Sequence, residues 1–125
     1  MARILIVDDE EPIRFVIKEF LSTSNHDLYT ANGAQQAFEI LNSKKIDLAI
    51  VDRNMPSVSG IEVVRMMRLN PKFSKIKVLM CTGSSVTREI DEAFSAGADD
   101  YVLKPINFDS FNAKIEKVLL LPPKE

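Results

Sequence analysis

Short apolar runs alternate along the chain with longer segments whose apolar residues recur every three or four positions. Continuous apolar runs are typical of strands buried on both faces of a parallel sheet, and the longer periodicity is typical of amphipathic helices. The runs predict strands at residues 3–7, 28–31, 46–51, 76–82 and 101–103. A helical segment follows each of these runs.

Several predicted helices carry signals at their ends. Pro12 suits the first turn of the first helix, and Ser59 and Glu62 have the spacing of a capping box at the start of the third. Gly97 is well placed to end the fourth helix. In the first and fourth helices the apolar stripes predicted to face the core are Ile13, Val16, Ile17, Phe20 and Leu21, and Val86, Ile90, Ala93 and Phe94.

The alternation of five strands with five helices predicts an α/β fold: a doubly wound parallel sheet with helices on both faces. The 125 residues suit one domain, expected at 1–121, with a C-terminal tail at 122–125. In such sheets ligands bind outside the carboxyl ends of the strands. The residues that follow each strand are therefore the candidates for a functional site.

Composition excludes several classes of function. The net charge of -2 offers no basic excess for direct nucleic-acid binding, and no apolar stretch approaches the roughly 20 residues of a membrane span. One cysteine, Cys81, excludes an intramolecular disulfide, and the expected location is cytoplasmic. Histidine-based catalysis and zinc binding would rest on His26 alone, which is expected to be a solvated loop residue.

Four of the five strands end in groups that could share one site. Asp8 and Asp9 follow the first strand, Asp52 the third, Thr82 the fourth and Lys104 the fifth. Two like charges at ~4 Å cost about 4 kcal/mol at an effective dielectric constant of 20, so the carboxylates need neutralisation. Lys104 can supply part of it, and a divalent cation the rest. The oxygen donors favour Mg²⁺ over a calcium cage.

A metal, an ammonium and a hydroxyl around one free carboxylate are what phosphoryl transfer requires. The predicted product is an aspartyl phosphate on Asp52, with Asp8 and Asp9 holding the metal. Simpler interpretations stay open at this point. Asp8 and Asp9 could cap the first helix, and Thr82 could be an ordinary strand residue.

These residues and their neighbours resemble the signature of receiver domains of two-component response regulators, over essentially the whole chain. The matching segments are Val7-Asp8-Asp9, Val51-Asp52-Arg53-Asn54-Met55-Pro56, Gly60, Thr82-Gly83, Tyr101 and Lys104-Pro105. The resemblance implies a CheY-like fold with strand order 2-1-3-4-5. It also implies a cis peptide bond between Lys104 and Pro105.

The resemblance implies that Asp52 accepts a phosphoryl group from a sensor histidine kinase or a histidine phosphotransfer protein, with Mg²⁺ as cofactor. Asp9 is expected to ligate the metal directly and Asp8 mainly through water. Asp52 and the main-chain carbonyl of Asn54 complete the expected ligands.

By the same resemblance, Thr82 and Lys104 contact the phosphoryl oxygens. Tyr101 turns inward as Thr82 moves, which changes the surface formed by the fourth helix, fifth strand and fifth helix. That surface is expected to bind a downstream protein, or a second copy of the chain after phosphorylation. A packing role for Tyr101 is the simpler alternative.

The expected function is therefore a single-domain response regulator, which is no enzyme beyond catalysing its own phosphorylation and dephosphorylation. A haloacid-dehalogenase-type Mg²⁺-dependent phosphatase is the alternative, but that family has two aspartates separated by one residue after its first strand, whereas Asp8 and Asp9 are adjacent. A flavodoxin-like nucleotide binder is disfavoured, because the acidic first loop would repel phosphate.

Overall fold

The computed structural model describes residues 2–122, so most of the predicted tail lies outside the described residues. Strands and helices alternate throughout. They are β1 (Arg3–Val7), α1 (Glu11–Leu21), β2 (Asp27–Ala31), α2 (Ala34–Ser43), β3 (Leu48–Asp52), α3 (Gly60–Leu69), β4 (Lys77–Thr82), α4 (Thr87–Ala96), β5 (Asp100–Leu103) and α5 (Phe108–Leu119).

The five strands form one parallel sheet in the order β2-β1-β3-β4-β5. This confirms both the predicted fold class and the strand order expected from the resemblance. The order reverses between β1 and β3, whose carboxyl ends lie side by side because Val7 pairs with Val51. Helices that leave β1 and β3 to opposite faces open a crevice at this point.

Each face of the sheet packs against its own set of helices, because successive strand side chains point to opposite faces. Helices α1 and α5 cover one face, where their buried residues are Ile17, Leu21, Phe111, Ile115 and Val118. Helices α2, α3 and α4 cover the other, where their buried residues are Ala37, Leu41, Ile61, Val63, Val64, Met67, Ala93 and Ala96. The sheet is thus the middle layer of three.

The predicted helix ends are confirmed. The Ser59 side chain accepts the Glu62 N–H at 3.3 Å at the start of α3, and Gly97 ends α4 with φ of 120°. Pro12 lies in the first turn of α1. These ends depend on local backbone chemistry, which explains why the sequence was sufficient to place them.

The prediction that every residue of the apolar stripes in α1 and α4 faces the core is wrong for three residues. Val16, Val86 and Phe94 are 48%, 54% and 43% exposed. Val86 lies before the first turn of α4, and α4 faces the core through the small side chains Ala93 and Ala96, which leaves Phe94 at the edge of the contact.

The expectation that His26 is solvated is also wrong. Its side chain is only 10% exposed, because the ring nitrogens contact the Ala2 N–H at 3.0 Å and the Glu116 carboxylate at 3.1 Å. Both partners are distant in sequence from His26. Separately, none of the helices within residues 2–122 is long and apolar enough to cross a membrane.

Candidate functional site

The carboxyl ends of β1 and β3 bring three carboxylates together. Asp52 is the last residue of β3 and Asp8 follows β1, and they are only 3% and 2% exposed. Asp9 is exposed. One oxygen from each of the three carboxylates lies within 4.8 Å of the others. This is a compact set of hard oxygen donors, of the kind that suits Mg²⁺.

Lys104 reaches this cluster from the end of β5. Its ammonium lies 3.0 Å from Asp52 Oδ1 and 3.4 Å from Asp8 Oδ2. The Lys104 backbone N–H donates to the Thr82 carbonyl at 2.8 Å, which holds the lysine against the end of β4. The Lys104–Pro105 peptide bond is cis, as the resemblance implied.

Burial and the contact between Asp52 and Lys104 shift the pKa values of both side chains. Burial raises the pKa of Asp52, and Asp8 raises it further, while the hydrogen bond from Lys104 acts in the opposite direction without outweighing them. Burial also opposes the charge on Lys104, but the hydrogen bond and attraction to Asp52, helped by Asp8, leave the lysine pKa raised. One ammonium is therefore shared by two buried carboxylates, and a further cation would be favoured there.

Asp8 also contributes to the start of α1. Its Oδ1 accepts the Glu10 N–H at 2.9 Å, just before the helix, while Oδ2 faces Lys104. Asp8 can therefore both bond to the start of α1 and belong to the acidic site. Arg14, which sequence analysis missed, donates to the Asp8 carbonyl at 2.7 Å; its position one turn into α1 was the available signal.

Thr82 ends β4 at the same edge of the sheet and is 2% exposed, with its hydroxyl accepting the Ser84 N–H at 3.1 Å. Cys81, one residue earlier, packs into the opposite face, as expected from strand alternation. Burial raises the pKa of the Cys81 thiol to about 12, which makes this cysteine a packing residue.

Tyr101 lies outside the carboxylate cluster. Its half-buried ring meets the Phe94 ring edge-on, with centroids 5.9 Å apart, and the Lys114 ammonium lies 4.5 Å from its centroid. Phe94 belongs to α4 and Lys114 to α5, so the tyrosine connects the two helices across β5.

The loop after β3 is tightly held. The Asn54 N–H faces Asp52 Oδ1 at 3.4 Å, while its side chain is exposed. Gly60, the first residue of α3, donates its N–H to the Arg53 carbonyl at 2.8 Å. A Cβ at position 60 would lie 2.2 Å from the Asp52 carbonyl oxygen, so only glycine allows this approach.

The sheet order and the acidic crevice at its carboxyl edge define a flavodoxin-like α/β domain of the CheY type. Residues 4–116 match the family described as the response regulator receiver domain, and the chain belongs to this family.

Among curated proteins, the chain is 36% identical over 121 residues to the chemotaxis protein CheY of Pseudomonas aeruginosa, covering 93% of this chain and 94% of that one. It is 34% identical to the uncharacterized transcriptional regulatory protein YrkP of Bacillus subtilis and 34% identical to the phosphate regulon transcriptional regulatory protein PhoB of P. aeruginosa, covering 90% and 93% of this chain. The chain spans 47% and 51% of those two relatives, or about half their length.

Solved structures of CheY-like proteins have the same fold as this chain. The chemotaxis protein CheY4 of Vibrio cholerae superposes with a TM-score of 0.89 at 27% identity, covering 94% of this chain and 98% of that one. A CheY-like receiver domain protein from Methanospirillum hungatei gives 0.84 at 29% identity, with coverages of 95% and 94%. The chain is thus a receiver domain of two-component systems. The comparisons do not support the haloacid-dehalogenase-type alternative.

Proposed function

We propose that this domain accepts a phosphoryl group on Asp52 from a phosphohistidine of a sensor kinase or histidine phosphotransfer protein, in a Mg²⁺-dependent reaction. The observation that carries the proposal is the ion pair of the buried Asp52 with the half-buried Lys104, beside Asp8 and Asp9. The chain spans nearly the whole of the CheY relative. It spans about half of the YrkP and PhoB relatives. We place the domain in the cytoplasm with no direct nucleic-acid contact.

Asp52 is the nucleophile in this proposal. One of its carboxylate oxygens forms the new O–P bond while the N–P bond of the donor breaks, and the electron pair of that bond stays on the imidazole nitrogen. Lys104 already contacts Asp52 Oδ1, so its ammonium is placed to take up negative charge on the transferred phosphoryl oxygens. The Thr82 hydroxyl, at the same strand edge, offers a neutral donor to those oxygens.

The donor set fits Mg²⁺. Asp8, Asp9 and Asp52 would hold the ion together with the Asn54 main-chain carbonyl, and the remaining ligands would be water. When bound, the ion neutralises charge on the phosphoryl oxygens. The carboxylate of the buried Asp8 accepts the Glu10 N–H and its main-chain carbonyl accepts from Arg14, so the residue is held in place before any ligand arrives. The exposed Asp9 lies at the entrance.

The output of phosphorylation is proposed to be a change in the surface formed by α4, β5 and α5. Two large apolar side chains of this surface, Phe94 and Leu103, are exposed. The Tyr101 ring packs between α4 and α5, so a movement of Thr82 that turned this ring inward would alter the contacts of both helices. The surface would bind a downstream protein, or a second copy of the chain.

Intact-mass measurement after incubation with acetyl phosphate and Mg²⁺ tests the proposal. We expect one added phosphoryl group, labile to hydroxylamine and persistent for at least seconds, and no addition when EDTA replaces Mg²⁺. Asp52→Asn should abolish the addition, and Asp109→Asn, which removes an exposed carboxylate in the first turn of α5, should leave it unchanged.

Phosphorylation that survives in Asp52→Asn would refute the assignment of the acceptor. Steady turnover of a phosphomonoester in the same variant would instead support a phosphatase. A histidine phosphotransfer protein carrying labelled phosphate can then replace acetyl phosphate, which tests the proposed class of donor directly.

A further inference from the structure

Arg53, the residue after Asp52, connects the acidic site to α4. Its side chain is only 10% exposed, and its guanidinium donates to the Glu89 carbonyl oxygen at 2.8 Å and to the Glu92 carboxylate. A buried arginine needs such partners, because its charge cannot be given up. Both partners belong to α4.

The backbone of Arg53 is held rigidly. Its N–H donates to the Cys81 carbonyl of β4 at 2.8 Å, and its carbonyl accepts the Gly60 N–H of α3 at the same distance. The Arg53 backbone is therefore bonded to β4 and α3, and its guanidinium is bonded to α4. A movement of α4 relative to β3 has to break or rearrange the contacts of this guanidinium.

The buried side chains of α4 are small. They are Ala93 and Ala96, each of which removes little apolar area from water. The far end of α4 is fastened separately, since Arg68 of α3 donates to the Gly97 carbonyl oxygen at 3.0 Å and 2.8 Å. Ahead of that end, α4 is held by the packing of Phe94 on Tyr101 and by the polar contacts of Arg53.

We propose that Arg53 is a positioning residue that couples phosphorylation of Asp52 to the position of α4 through its ion pair with Glu92. The inference rests on the proposed function. In the described arrangement the Asp52 carboxylate itself pairs with Lys104 while Arg53 holds α4. If phosphorylation displaces α4, the Arg53–Glu92 pair opposes phosphorylation, because displacement breaks it.

Glu92→Gln and Arg53→Gln, alone and together, test the coupling. We expect each single variant to increase hydrogen exchange at the α4 amides and to increase the rate constant of phosphorylation by acetyl phosphate about two- to fivefold, the range of partly exposed ion pairs. The double variant should show no further increase over Arg53→Gln, because that change already removes the contact with Glu92.

Glu89→Gln is the matched control, because Arg53 bonds the backbone carbonyl of Glu89 and not its carboxylate. In this variant, hydrogen exchange at the α4 amides and the rate constant of phosphorylation should be the same as in wild type. Arg53→Lys should behave like Arg53→Gln, because one ammonium cannot reproduce the two-pronged contact of a guanidinium. A residue that acted only on stability would lower the melting temperature without accelerating phosphorylation.

Unchanged α4 exchange and an unchanged phosphorylation rate in Glu92→Gln would overturn the proposal, as would additive effects in the double variant. Failure of wild type to become phosphorylated on Asp52 would instead refute the proposed function. The exchange measurement without phosphodonor would still report whether the ion pair holds α4, so the two failures are distinguishable.

Discussion

The Lys104 ammonium lies 3.0 Å from Asp52 Oδ1, which joins the end of β5 to the end of β3 across the intervening strand β4. The same ammonium is 3.4 Å from Asp8, so a single side chain balances two buried carboxylates. The cluster with the exposed Asp9 remains negative. Changing the charge of one of these side chains should therefore alter both the free energy of unfolding and the phosphorylation of Asp52.

Lys104→Met should destabilise the domain by about 1–3 kcal/mol at pH 7 without Mg²⁺, because two buried carboxylates lose their cationic partner. The pKa of Lys104 is raised above its ordinary value of 10.5, so its stabilisation is complete below that pH and is lost as the pH rises through the raised value. Urea unfolding of both proteins measures the difference.

The control for this change is Lys18→Met, on the exposed side of α1, which should unfold like wild type. Millimolar Mg²⁺ should reduce the loss in Lys104→Met, since a bound cation replaces part of the missing charge. Equal stability of Lys104→Met and wild type in EDTA would contradict the role of the lysine in balancing the carboxylates.

Mg²⁺ should raise the melting temperature of the wild-type protein, and EDTA should reverse the effect. A ligand at ten times its dissociation constant stabilises the folded state by about 1.4 kcal/mol. Asp9→Asn should remove most of this response, because it deletes one of the three clustered carboxylates. Glu11→Gln, an exposed acid of α1 outside the cluster, should retain it; the same Mg²⁺ shift in both variants would count against the metal site.

Asp52→Asn should be more stable than wild type at pH 7. Burial, helped by Asp8, raises the pKa of Asp52 above its ordinary value of 3.8, so the ionised carboxylate costs stability above the raised pKa. That cost disappears as the pH falls through the raised pKa towards 3.8. The melting-temperature difference between the proteins should therefore shrink on acidification in EDTA; a variant less stable than wild type at pH 7 would show that the Lys104 contact outweighs burial.

Gly60→Ala should be strongly destabilising, by about 1–3 kcal/mol or more, as for other overpacked sites. The new methyl group would lie 2.2 Å from the Asp52 carbonyl oxygen and 2.8 Å from the Arg53 Cα, and both neighbours are backbone atoms. Thermal unfolding measures the loss. Gly33→Ala is the matched control, because a methyl group there would have no atom of the described residues within 4 Å beyond its chain neighbours, and a similar loss in both variants would exclude the steric explanation.

Local patterns in the sequence were sufficient for most of the fold. Apolar runs identified the five strands, and Ser59 and Gly97 marked helix ends, because capping involves only neighbouring backbone groups. The strand order was not contained in these patterns and came from the resemblance. Residues after the strands could be assigned to one edge, since all carboxyl ends of a parallel sheet point the same way.

The sequence by itself therefore determined that Asp8, Asp52 and Lys104 follow parallel strands and can meet. Only the tertiary structure decided their contacts, the burial of His26 against Glu116, the exposure of Phe94, and the contact of Arg53 with Glu92. These features depend on how each helix is rotated against the sheet and on pairs of residues far apart in the chain. Periodicity carries no information about such pairs, because it describes one element at a time.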